Sequence, residues 1–240
     1  MLPLTIALVL AVLFLAGLTK ATLGFGESLV AMPLLTLLIG VQMAAPVAAL
    51  MMTTLTGFLL LQSWQKVDFR ATWRVMVAAV FGIPFGVWGL RTLPAHSIAL
   101  VMGVVLVLVG LFYLARPTVR WIPGPRWGYL FGFVGGLLGG AVTAGGPPIV
   151  IFGTLRRLPP AEFRATLQGC FTPLNIFILL GHALAGLWTP PVLELYAMSL
   201  PVIFFALWIG GRVHHAIPAQ AFSRVVYLML VALGVVMVFS

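Results

Sequence analysis

The side chains able to do chemistry are few, and they gather at two glycine-rich segments. The chain holds four acidic residues, Glu27, Asp68, Glu162 and Glu194, and Glu27 alone falls inside a long apolar stretch. An ionisable group in such a setting is costly enough to imply a function or a partner, and Lys20 lies on the same segment. Two readings stay open: an ion pair that holds the segment shut, or a proton-coupling role for Glu27. Around them, Gly24, Gly26 and Ser28 in the first segment, and Gly139, Gly140, Thr143, Gly145, Gly146 and Pro147 in the second, suggest breaks in helices. The glycines would permit positive φ and close backbone approach, and Pro147 and Pro148 suit a first helical turn. Amides at a helix start carry roughly half a positive charge and directional donors, which suits an oxyanion. Ser28 and Thr143 would add hydroxyls as caps or ligands. Tight helix packing is the plainer reading of the same glycines.

The elements that must position these residues follow from composition. Of 240 residues, 62% are hydrophobic and 7% charged, against roughly one quarter charged in an ordinary soluble domain. Uncharged runs such as 44–64 and 98–114 approach the ~20 residues needed to cross a ~30 Å hydrocarbon layer. The expected class is an all-α integral membrane protein. The net charge of +9 is read as a topology signal rather than a nucleic-acid surface, because Lys and Arg concentrate in short loops. Cys170, the one cysteine, is read as an inert buried thiol.

The segments repeat. Gly17, Gly24, Ser28 and Pro33 align with Gly132, Gly139, Thr143 and Pro148 at a constant offset of 115, the difference between 132 and 17. Farther on, Gly89 and Arg91 align with Gly210 and Arg212 at about 121. The expected halves are 1–118 (hairpin 3–40, helices 44–64, 72–91 and 96–115) and 119–240 (hairpin 127–156, helices 163–185, 190–211 and 217–239), forming one membrane domain of about 8 to 10 segments. The first segment is expected to be interrupted from Lys20 to Ser28, leaving arms of about 15 and 12 residues, both short for a crossing. Re-entrant hairpins place Lys66, Arg70, Arg74, Arg116, Arg120, Arg126, Arg156, Arg157, Arg164 and Arg212 on one face, with Arg91 opposite; single broken helices would split them nearly evenly. The positive-inside rule selects hairpins, with both termini outside. Three net crossings per half then make the repeats inverted, the architecture of alternating access.

Behind the segments, Thr53, Thr54 and Thr56 on one helix are matched approximately by Phe171, Thr172 and Asn175 on another. Asn175 is the better candidate ligand, since its amide donates two hydrogen bonds. Arg164, at the start of that helix, either attracts oxyanions or marks topology. His182, alone in an apolar helix, is read as structural; His214 and His215 show no ligand spacing. No HExxH, Walker A, GxSxG or dinucleotide fingerprint occurs, so a non-enzyme without cofactor or metal is expected. The scarcity of carboxylates argues against a multivalent-cation carrier.

The doubled segment GLTKATLGFGESLVAMPLL and GFVGGLLGGAVTAGGPPIV, followed by FRATLQGCFTPLN, resembles the sulfite exporter TauE/SafE family over nearly the whole chain. The resemblance implies a multi-pass permease of the bacterial inner membrane that moves sulfite, sulfoacetate or another organosulfonate, or thiosulfate, in many cases outward. Partners are then the anionic substrate and the bilayer, with no nucleic acid; the oligomeric state stays open, a homodimer included. The competing reading is an anion channel or a non-transporting partner subunit.

Overall fold

A computed structural model describes residues 3–63, 69–115, 124–156, 160–213 and 219–239, with side chains at 62–63, 69–71, 160–162, 164–165, 213 and 219–223, and at Leu23, left aside. All elements among these residues are helices: α1 (Pro3–Leu23), α2 (Glu27–Ile39), α3 (Val41–Ser63), α4 (Phe69–Thr92), α5 (Ala95–Ala115), α6 (Trp127–Val142), α7 (Gly146–Leu155), α8 (Pro160–Leu184), α9 (Pro190–Val213) and α10 (Ala219–Phe239). Six are long and apolar enough to cross a membrane, and α2, α6 and α7 are shorter apolar helices. Lys66, Asp68, Arg116, Arg120, Arg157, His214 and His215 lie outside the described residues.

The chain divides into two compact units, each drawing helices from both halves of the sequence. One holds α1, α2, the start of α3, α5, α9 and α10; the other holds the rest of α3, α4, α6, α7 and α8.

In the first unit α1 packs on α2 and α9, and α5 on α10. Small residues set these contacts. A Cβ on Gly17 would lie 2.8 Å from Ala206 Cβ, and one on Gly103 2.8 Å from the Gly234 carbonyl. With lipid tails as apolar as leucine, helices associate through close packing, which needs such residues. The expected short first arm is corrected here. α1 runs unbroken through Lys20 for 21 residues, about 31 Å at 1.5 Å per residue, enough to cross alone. Its polar residues do not break it because Thr19 and Thr22 return their hydroxyls to the carbonyls of Leu15 and Leu18 at 2.9 and 2.8 Å. The break is confined to Gly24, Phe25 and Gly26, where both glycines take positive φ, 83° and 90°.

In the second unit α4 and α6 share the most intimate interface. Gly82 and Gly86 on α4 alternate with Gly132, Gly136 and Gly140 on α6, and a Cβ on any of them would strike a backbone carbonyl of the other helix. The lipid-side stripe of α4 carries Phe81, Phe85 and Trp88, at least 60% exposed in each case, as a membrane-facing surface requires. The hairpin of α6 and α7 is tight at its own turn: a Cβ on Gly145 would meet the Gly135 carbonyl.

Candidate functional site

The first hairpin closes on itself. Lys20 in the last turn of α1 donates from Nζ to Glu27 Oε1 at the first residue of α2, at 2.7 Å, and both side chains are buried. The ion pair of the first reading is present in the structure. A carboxylate in the first turn also complements the helix dipole, so the N-terminus of α2 already holds an anion that belongs to the chain. Ser28 follows, 3% exposed.

The second hairpin is built differently. Positive φ falls here on Thr143, at 52°, and not on Gly139 or Gly140, which are helical, nor on Gly145, at −71°. Those three glycines serve close approach instead: a Cβ on Gly140 would strike the Ile83 carbonyl, and one on Gly139 would lie 3.1 Å from Ile178. Thr143 is the one non-glycine residue with positive φ among the described residues. A β-branched residue in that region is strained, and such strain persists where surroundings hold it. Thr143 is also 1% exposed, and its hydroxyl has no hydrogen-bond partner among the described residues. Three residues later α7 begins. Pro147 and Pro148 carry no amide hydrogen, so the donors at this helix start are the amides of Gly145 and Gly146.

One face of α8 follows the hairpin. Phe171, Asn175, Ile178 and His182 recur at helical spacing. The Phe171 ring lies 3.9 Å from where a Gly146 Cβ would stand, Ile178 reaches Gly139, and His182 Nε2 lies 3.1 Å from the Gly140 carbonyl. Asn175 stands on this stripe between the residues that touch Gly146 and Gly139. It is 4% exposed and donates from Nδ2 to Thr56 Oγ1 at 3.5 Å.

The sequence candidates Thr143, Gly139, Gly140, Gly145, Gly146, Pro147 and Asn175 are therefore brought together within the second unit. Thr53 and Thr54 are half-buried on α3 and engaged in other interactions. Lys20, Gly24, Gly26, Glu27 and Ser28 gather in the first unit. Arg164 lies within α8, its side chain outside the described set. His182, read from the sequence as structural, bonds the Gly140 carbonyl of α6 and shares the α8 stripe with Phe171 and Asn175. A small cavity between Thr72, Arg156 and Thr166 measures about 20 Å³, room for about one water and too little for an oxyanion.

Comparison with known proteins places the chain in a family. Residues 9–237 match the family described as "Sulfite exporter TauE/SafE". A curated relative, the "Probable sulfite/organosulfonate exporter TauE" of Cupriavidus necator, is 28% identical over 170 residues, covering 68% of this chain and 66% of that protein's own length. No solved structure matches.

Proposed function

The chain belongs to the sulfite exporter TauE/SafE family and is a multi-pass membrane protein, and from that premise we propose that it exports a small sulfur oxyanion, sulfite or an organosulfonate such as sulfoacetate, seated at the second hairpin. The relative's printed role, sulfite or organosulfonate export, supports the substrate class. The observation that carries the seat is Thr143: a strained, buried, unpartnered hydroxyl at the turn that leads into α7. In this reading the anion accepts hydrogen bonds from the amides of Gly145 and Gly146 and from Thr143. Asn175 and the edge of the Phe171 ring, whose Cζ is the atom nearest Gly146, close the seat on the α8 side. Charge-assisted bonds of this kind are roughly twice as strong as neutral ones, and the anion relieves a hydroxyl that is otherwise left without a partner.

Transport proceeds by alternating access of two inverted repeats in the bacterial inner membrane, with both termini periplasmic. The arrangement of the units supports a repeat: each hairpin packs on the penultimate long helix of the opposite half, α1 on α9 and α6 on α4. Arg164 at the start of α8 would draw anions from the cytoplasm.

The test is counterflow in proteoliposomes. Vesicles preloaded with unlabelled sulfite or sulfoacetate should accumulate labelled anion transiently and saturably, and Gly146→Leu should abolish this while the protein still inserts. Gly146 is the discriminating position because a Cβ there meets nothing nearer than the Phe171 ring at 3.9 Å, whereas one at Gly145 would strike the Gly135 carbonyl and break the hairpin. Conductance without saturation or counterflow would establish a channel, and full activity of Gly146→Leu would remove the seat.

A further inference from the structure

His182 is buried to 0% exposure and contributes nothing to the seat as described so far. Its environment is nevertheless specific. At the end of α6 the Thr143 amide donates to Gly139 and the Ala144 amide turns back to Leu138, so the bond that would normally close onto Gly140 is not made by the helix. His182 Nε2 takes that carbonyl at 3.1 Å. A carbonyl only accepts, so Nε2 carries the hydrogen. In the neutral ring Nδ1 is then a bare acceptor, and it is buried with no hydrogen-bond partner among the described residues. A buried acceptor without a donor calls for an explanation.

Resting on the seat reading above, we propose that His182 is a positioning residue that binds a proton together with the anion: it holds the apex of the second hairpin through Gly140 and takes a proton at Nδ1 when the oxyanion is seated. Three things favour this assignment. Gly140 is one turn from Thr143 on α6, so the ring stands one turn from the proposed anion. An imidazolium bonded to a terminal carbonyl of α6 lies at the end of the helix where the dipole favours positive charge. No carboxylate offers a competing proton site on the helices packed against α8. α6 and α7 carry no charged residue between their ends, and α3, which reaches Asn175, carries none. On α4, Ile83 and Val87 face Gly181, Arg91 lies one turn beyond and is exposed, and Arg74 stacks on Trp73 at the other end. Proton and anion then bind cooperatively, each strengthening the other by the same factor. The proton comes from the aqueous side to which the seat is open and leaves with the anion; no bond other than N–H is made or broken.

Isethionate is the probe, because its sulfonate keeps a single charge across the working range while sulfite changes its own protonation. With purified wild type, the Kd for isethionate should rise between about pH 6.5 and 8, approaching tenfold per unit as one proton is linked to binding. In weak buffer at the upper end of that range, binding should withdraw up to one proton per anion from the medium. His182→Gln keeps an amide donor for Gly140 and loses the titratable ring, so it should bind isethionate with a flat pH profile and no proton uptake. A slope that survives in His182→Gln, or one that survives there and vanishes in Glu27→Gln, overturns the proposal. If His182→Gln does not fold, the proton count on wild type decides, and zero uptake across the range overturns it. Wild type that binds neither isethionate nor sulfite at any pH overturns the seat reading itself, a result distinct from binding without linkage.

Discussion

At the start of α2 the chain supplies its own anion: Glu27 occupies the first helical position with Lys20 at 2.7 Å, and the nearby hydroxyls of Thr19 and Thr22 are spent on α1's own carbonyls. At the start of α7 the corresponding place holds two glycines and two prolines, with no charged residue and a hydroxyl at Thr143 that no described residue satisfies. The two hairpins share a repeat pattern yet differ in electrostatic completeness. One helix start is neutralised from within, and the other is left for something from outside. The comparison teaches that duplicated segments can differ in how completely their polar groups are satisfied; in the proposed reading the first serves as a fixed support and the second holds the cargo.

The largest effect expected is on the first hairpin. Glu27→Ala strands a buried ammonium and should lower stability by about 3–5 kcal/mol in detergent unfolding, whereas the double change Lys20→Met with Glu27→Leu should recover most of it, because a buried pair can be replaced by apolar volume at little cost. Counterflow that is lost in the stable double variant would break the comparison, since the first hairpin would then touch cargo or coupling.

Next comes Thr143→Gly. It removes a donor to a charged ligand, about 1.5–3 kcal/mol, so transport should fall roughly ten- to hundredfold. It also relieves the left-handed strain, so unfolding should be delayed by about 1 kcal/mol. A variant that is both destabilised and fully active would reverse the assignment. Gly140→Ala should cost about 1–3 kcal/mol, because its Cβ meets the Ile83 backbone, and more than Gly17→Ala, which meets only the Cβ of Ala206. Equal costs would remove the contrast between a backbone-tight and a side-chain-tight hairpin. The smallest effect is Gly146→Ala, where the nearest atom is 3.9 Å away; stability should change by no more than about 1 kcal/mol, and upward.

Hydropathy and small-residue spacing are local properties, and they made much of the molecule readable: the membrane class, the long helices, the two breaks and the family resemblance carried by GLLGGAVTAGGPPIV and its earlier counterpart. The pairing of Lys20 with Glu27 was legible as one of two options, since opposite charges on one apolar segment leave few alternatives. The length of α1 was misjudged because Lys20 reads as a breaker, while its neighbours Thr19 and Thr22 in fact return their hydroxyls to the helix. The positive φ was assigned to the wrong type of residue in the second segment. Glycine is the default for that conformation, but the glycines there were already required against Ile83, Ile178 and Gly135, and the turn fell to Thr143.

By itself the sequence determined that the chain lives in a bilayer as helices, where those helices break, and which few polar side chains stand at the breaks. These follow from the transfer cost of each residue and from the helical period, both of which act over a turn or two. The tertiary structure decided which of those polar groups are satisfied among the described residues: Glu27 has a partner, Thr143 has none there, and His182 holds a carbonyl on another helix while its Nδ1 has no partner among them. Satisfaction of a buried group depends on what packing brings within about 3 Å of it, and that is set by contacts between residues far apart in the chain.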